Sequence, residues 1–260
     1  MQRPFKVWNA DNMPVQAPFY KSPSIPYSCK DLRTFDVYCR GDADAIKRFL
    51  APTPFEFLTD KFIIDFGDYA NGTSATYHDL GVILPVRYKN LVGGYYVIEY
   101  EDLASSVSAG RELWGYPKKV ADFDVEETEH AMTVRVSREG AEIIRLSLDF
   151  SQEIEADALP EIQVRPHLLL YTMPRYAGPG IQCQKILKRD TSPDFVTKKS
   201  RIVRASATLS GYENPPVIEP LDEWSPAEVY GAKYTIGDFA ATPEHGWAEL
   251  VEVIVADPDR

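Results

Sequence analysis

From Thr34 onward the chain is a succession of short segments rich in β-branched and aromatic residues, separated by turns built on Gly, Pro and Asn. That rhythm restricts it to a strand-dominated fold. TFDVYCR, FIIDFGDY, GVILPVRY and GGYYVIEY come first, with Asn71-Gly72 as a hairpin signal between the second and third. Asn71-Gly72-Thr73 also matches a glycosylation sequon, but the turn reading is preferred because no signal peptide precedes it. DFDVEE, AMTVRVSR, AEIIRLSLDF, HLLLYTM and RIVRASATLS continue the pattern, AKYTI reads as a strand near the end, and WAELVEVIVA is an apolar end. So many strands would present exposed edges, which closure removes. The expected fold is therefore mainly β, a closed or nearly closed antiparallel β-barrel or cone with a few short helices.

The helices are brief. DADAIKRFL places Ile46, Phe49 and Leu50 at helical spacing behind an Asp cap, and Pro52 and Pro54 end it. EDLASSVSAGRELWG predicts a helix from Asp102 that Pro117 stops, and SPAEVY suggests a third. Residues 1–32 hold five prolines and no periodicity, so they read as an irregular arm, compatible with packing on a neighbouring subunit. Residues 33–260 read as a single domain, since strand-like segments flank the acidic stretch SQEIEADALPEIQ on both sides.

A net charge of −11 repels phosphate backbones and anionic membranes, which argues against nucleic-acid and membrane partners. Cys29, Cys39 and Cys183 are odd in number and far apart, so they form neither a disulfide framework nor a zinc site. The first residues lack a signal-peptide run, and no stretch approaches the ~20 apolar residues of a membrane span, so a soluble cytoplasmic protein is expected. Phosphate-loop, dinucleotide, HExxH and GxSxG motifs are missing, and His78, His130, His167 and His245 lack ligand spacing. Asp42 and Asp44 read as a helix cap rather than a metal pair. No metal or organic cofactor is expected.

That leaves lysine. AGRELWGYPKKV sets Lys118 and Lys119 among Leu113, Trp114, Tyr116, Val120 and Phe123. On its own a lysine pair reads as a solvated face. A free amine with pKa near ~10.4 is neutral in only about one molecule in two thousand at pH 7, so a nucleophilic lysine must be desolvated or crowded by another cation.

AGRELWGYPKK resembles the signature of the acetoacetate decarboxylase family, and YHDLGVILPVRY, RPHLLLYTMP and PAEVYGAKYTIGD resemble further segments of it. The likeness spans roughly residues 33 to 238. This family is the familiar example of an amine activated by burial or a neighbouring cation, so that rationale comes with the resemblance. The resemblance implies a Schiff-base role for Lys118, a second cation at Lys119 that perturbs it, acidic pocket residues at Asp79 and Asp65, and substrate-holding Arg33. If the segment after Pro117 is extended, the two lysines point to opposite sides and only one lines the pocket. Trp114, Tyr116, Glu112 and Tyr234 are further pocket candidates; a carboxylate paired with Arg111 is the plain reading of Glu112, and a core tyrosine that of Tyr234.

The function so implied is decarboxylation of a small β-keto acid, acetoacetate-like, to a ketone and CO₂ by a cofactor-free homo-oligomer. A Schiff-base aldolase or dehydratase acting on pyruvate-type keto acids is the first alternative. A non-enzymatic barrel binding a small ligand is the second.

Overall fold

The computed structural model describes residues 19–20, 24–214, 217–219 and 221–256. The expected rhythm of strands is present. In chain order they are β1 (Tyr27–Arg40), β2 (Glu56–Phe57), β3 (Lys61–Asp68), β4 (His78–Tyr88), β5 (Leu91–Glu101), β6 (Lys118–Val120), β7 (Asp122–Glu127) and β8 (Ala131–Arg138). Then come β9 (Ala141–Glu153), β10 (His167–Pro174), β11 (Ile181–Arg189), β12 (Val196–Leu209), β13 (Tyr212–Asn214), β14 (Val217–Glu219), β15 (Glu228–Ala241) and β16 (Glu249–Val255). Two helices interrupt them, α1 (Ala43–Leu50) and α2 (Ala104–Trp114). The Asp42 side chain accepts from the backbone N–H groups of Asp44 at 2.7 Å and Ala45 at 3.1 Å. Such a cap stabilises a short helix by about 1 kcal/mol.

Fourteen strands form one sheet, paired in the order β16-β11-β10-β5-β4-β3-β1-β15-β12-β9-β8-β7, with β2 on β4 and β6 on β5; β13 and β14 make a separate hairpin. The pairing path is open, because no ladder joins β16 to β7 among the described residues. The expected closure is therefore not found. The terminal edge β7 is shielded in another way, by Asp122, Asp124, Glu126 and Glu127, charges that discourage edge-to-edge pairing. Two junctions are parallel, β10 on β5 through His167 and Gly94, and β6 on β5.

Sequence and structure differ elsewhere too. β1 begins at Tyr27, inside the segment read as an arm, because Tyr27 to Cys29 pair with Ala241 to Phe239 of β15. Residues 1–18 and 21–23 of that arm lie outside the described residues. β11 was not anticipated: IQCQKILKR mixes Gln and Lys into its alternation. SPAEVY is not helical; a short 3₁₀ turn at Leu221–Trp224 precedes it and Glu228 opens β15. The Asn71-Gly72 turn exists within a longer connection, with Gly72 N donating to Tyr69 O at 3.0 Å. A Cβ on Gly72 would lie 2.1 Å from the Ala75 carbonyl oxygen, so only glycine fits.

The two-residue period of the strands separates a dry side from a cavity side. Phe35 and Val37 of β1, Ile64 and Phe66 of β3, Leu80 and Val82 of β4, and Tyr100 of β5 are buried in the main apolar cluster. Between them, Thr34 and Asp36, Asp65 and Gly67, Asp79, and Glu99 and Glu101 line a cavity of about 590 Å³.

Candidate active site

The site is assembled where α2 hands over to β6. Gly115 ends α2 in the left-handed region, at φ 78°, and its N–H bonds back to the helix carbonyls. This is the usual glycine termination of a helix. Arg111 then donates to the Lys118 carbonyl at 2.9 Å, tying the last helical turn to the strand that follows. β6 pairs in parallel with β5, setting Lys118 opposite Glu99 and Lys119 opposite Tyr100. Alternation does the rest: Lys118 enters the cavity with only 7% exposure, while Lys119 turns to the other face and donates to the buried Glu219 at 2.6 Å.

Lys118 Nζ donates to three carboxylates, Glu101 at 2.5 Å, Glu99 at 2.6 Å and Asp79 at 2.9 Å. Glu99 and Glu101 are two residues apart on one face of β5, and Asp79 stands directly across from Glu101 on β4. A longer row is visible in the register. Lys233, Asp36, Asp65, Gly81, Glu99 and Lys118 are successive cross-strand neighbours on β15, β1, β3, β4, β5 and β6. Gly81 interrupts this row of charges for a steric reason. A Cβ there would lie 2.5 Å from the Tyr96 ring, whose hydroxyl donates to Asp65 Oδ2 at 2.8 Å.

Like charges directly opposite each other repel, and buried carboxylates lose hydration. Burial, with Asp79 and Glu101 nearby, holds Glu99 well above the carboxylate range despite Lys118. Burial pushes Glu101 up to about 8 and, with Asp79 and Asp36 adding repulsion, Asp65 up to about 7. Glu99 Oε2, Glu101 Oε2 and Asp65 Oδ1 are buried without a protein partner. On Lys118 the effects oppose. Burial pulls the amine down, but Asp79, Glu101 and Glu99 outweigh it and hold it well above the ordinary lysine value. The expectation of an amine lowered by burial and by Lys119 is thus replaced by an ammonium clasped by three carboxyl groups.

Tyr116 connects this acidic end to a basic one. Lys118 Nζ lies 5.3 Å from the Tyr116 ring centroid, and the Tyr116 hydroxyl meets His167 Nδ1 at 2.8 Å and Arg189 Nη1 at 3.5 Å. Arg189 stacks its guanidinium on Trp114 at 4.1 Å and donates through Nε to the Gly246 carbonyl at 2.8 Å. Arg165 Nη1 approaches His167 Nδ1 at 3.5 Å. Burial, aided by Arg165, Arg189 and Lys118, holds His167 well below the usual histidine value, so it is neutral.

Among the anticipated residues, Lys118, Asp79, Asp65, Trp114 and Tyr116 line the cavity together. Four do not. Arg33 falls on the opposite side of β1 from Thr34 and Asp36, where it pairs with Asp68 and Glu127. Lys119 is turned away as described. Glu112 accepts from Tyr20 at 3.0 Å and Tyr234 donates to Glu127 at 3.1 Å, both outside the cavity wall. Sequence reasoning missed Glu99, Glu101, Tyr96, His167, Arg165 and Arg189. The glutamates had a usable signal, since in GGYYVIEYE they share one face of a strand that is otherwise apolar, and Arg165 and His167 lie in the RPHLLLYTMP segment that resembles the family. No cluster of His, Cys, Asp and Glu suited to a metal ion occurs among the described residues, and no helix is long and apolar enough to cross a membrane.

Comparison with known proteins adds to this geometry. The sequence model of the family described as acetoacetate decarboxylase (ADC) matches residues 12–247. A curated acetoacetate decarboxylase of Burkholderia multivorans is 27% identical over 234 residues, covering 87% of this chain and 89% of the relative. The acetoacetate decarboxylase structure from Legionella pneumophila superposes with a TM-score of 0.77 at 20% identity, covering 97% of this chain and 94% of that one. The enduracididine biosynthesis enzyme MppR, solved with pyruvate, has a TM-score of 0.62 at 14% identity, covering 87% of this chain and 90% of that one. Likeness at such identities speaks for a common fold.

Proposed function

The chain belongs to the acetoacetate decarboxylase family, and on that premise we propose that it is a carbon–carbon lyase that decarboxylates a small β-keto acid through a Schiff base on Lys118. The observation that carries this reading is a single buried amine, 7% exposed, held at 2.5 to 2.9 Å by three cavity carboxylates.

Lys118 begins as an ammonium and gives up a proton to the carboxylate cluster that holds it, Asp79, Glu99 and Glu101 together. The neutral amine adds to the ketone carbon, and the resulting carbinolamine loses water with a proton from the same cluster. The iminium then draws in the bonding pair released as CO₂ departs, leaving a neutral enamine. Asp65, near neutrality and oriented by the Tyr96 hydroxyl, is suited to return a proton to carbon. Hydrolysis frees the ketone and Lys118, and the cycle consumes one proton from solvent.

A second reading is supported by the number of acids. Decarboxylation needs one protonation at carbon, whereas an aldol or dehydration sequence on a pyruvate-type keto acid needs an acid and a base on separate atoms. Asp65 with Tyr96 forms a proton-carrying pair apart from the three groups that hold Lys118. Release of CO₂ from β-keto acids, set against condensation of pyruvate with an aldehyde, separates the two.

The common step is tested by borohydride reduction in the presence of a panel of keto acids, followed by peptide mass spectrometry. An adduct on Lys118 that is absent in Lys118→Ala is expected. Failure to form it with any carbonyl compound overturns both enzymatic readings and leaves a barrel-like sheet that binds a small ligand with Lys118 as a fixed charge.

A further inference from the structure

We propose that Arg189 and His167 form a carboxylate-binding subsite at the end of the cavity beyond Tyr116, and that the substrate is a keto acid whose carboxylate docks there while its ketone reaches Lys118. The substrate part of this proposal rests on the Schiff-base reading; the anion subsite does not.

The first observation is a fixed tautomer. His167 is neutral and 5% exposed, and its Nδ1 receives the Tyr116 hydroxyl at 2.8 Å with Arg165 Nη1 at 3.5 Å. An arginine can only donate, so Arg165 Nη1 beside Nδ1 assigns that nitrogen as the acceptor, with the Tyr116 proton directed to it. Nδ1 is therefore the acceptor and Nε2 bears the hydrogen. That Nε2 is buried with no protein partner.

The second observation is Arg189. It is 8% exposed, and Nη2 is likewise buried without a protein partner, although Nε and Nη1 are both engaged. Stacking on Trp114 fixes the plane of the guanidinium, so the unused donor has a defined direction. Both residues line the cavity. Buried donors left unpaired are costly, and two of them on cavity-lining residues match an anionic oxygen pair better than an apolar group.

The third observation is polarity along the cavity. The Lys118 end holds Asp79, Glu99 and Glu101, with Asp65 beyond, and repels a substrate carboxylate. Arg165 Nη1 lies 3.5 Å from His167 Nδ1 and so adds a second cation beside the subsite. Arg33, the cation anticipated for this task, is engaged with Asp68 and Glu127 on the far side of β1.

Two measurements test this. Calorimetric titration with hexanoate, which has no ketone, reads the subsite without Lys118 chemistry. The wild type should bind it; Arg189→Met and His167→Leu should each weaken binding by about tenfold or more, the size expected for a lost hydrogen bond to a charged group. Lys118→Met should keep it. Borohydride trapping with 4-oxopentanoate and with 2-butanone then reads the substrate class: the acid should modify the wild type at a concentration at least about tenfold lower, and both variants should lose that preference while still trapping the neutral ketone. His167→Leu is close in size and removes an unpaired polar atom, so it guards against a folding defect in Arg189→Met. Hexanoate binding unchanged in both variants, or no binding to the wild type, overturns the subsite. Hexanoate binding without any borohydride adduct supports the subsite and overturns the Schiff-base reading instead.

Discussion

Glu99 stands directly across the parallel β5–β6 ladder from Lys118 and accepts from its Nζ at 2.6 Å, with both side chains buried. Register determines this pairing. Shifting β6 by one residue would point Lys119 into the cavity and Lys118 toward Glu219. The same alternation accounts for Asp79, Glu101 and Asp65, which reach the cavity from three adjacent strands because each occupies the inward phase of its own.

Gly110 should prove a positioning residue. A Cβ at this site on α2 would lie 2.5 Å from both Cδ and Cε of Lys118, the flexible part of that side chain. Gly110→Ala is therefore expected to fold, and alanine favours a helix interior by up to about 1 kcal/mol. The displaced amine should lower kcat/KM by roughly 10- to 100-fold. Steady-state kinetics beside a thermal melt checks this, and an unchanged kcat/KM contradicts it.

Lys119→Met should leave the Lys118 adduct and kcat within about threefold, since Lys119 belongs to the opposite face. The buried Glu219 keeps Tyr100 at 2.7 Å and Arg138 at 3.3 Å, so the loss of stability should stay near 1 kcal/mol. Urea unfolding and borohydride trapping measure the two effects.

Arg33→Met separates structure from binding. It removes the partner of the buried Asp68 and of Glu127, so the melting temperature should fall. KM for any keto acid should stay within about threefold, because Arg33 does not line the cavity. A large rise in KM with an unchanged melt would restore the role first anticipated for it.

The carboxylates give stability a pH dependence of definite sign. Asp65 titrates at about 7 in the fold against an ordinary 3.8, and Glu101 at about 8 against 4.5. Over that interval the folded chain holds more protons than the unfolded one, so their contribution is complete below about pH 4 and is lost as pH rises toward 8. Lys118, held above its ordinary value, keeps its contribution throughout this window. The melting temperature of the wild type should therefore decline from pH 5 to 8, and that of Asp65→Asn should decline less. Calorimetry in matched buffers decides it, and parallel profiles would refute the assignment.

Much of this molecule could be read from local pattern. Strand-length β-rich runs predicted most of the sheet, an Asp at a helix start predicted α1, and strand alternation predicted that Lys118 and Lys119 face opposite sides, while the choice of Lys118 came from the family resemblance. Those properties depend on residues a few positions apart, where the two- and 3.6-residue periods act. β11 was lost because Gln and Lys blurred its alternation.

The charge state of the amine lay beyond local reading, and so did the identity of its partners. Lys118 is held by groups 17, 19 and 39 residues away in the chain, and His167, Arg165 and Arg189 come from the distant β10–β11 region. Whether Arg33 or Arg189 faces the cavity depends on strand phase and on which strands become neighbours. Sequence supplied a lysine with a reason to be buried. Folding supplied the acids that clasp it, because burial and like-charge proximity arise only when separate strands come into register.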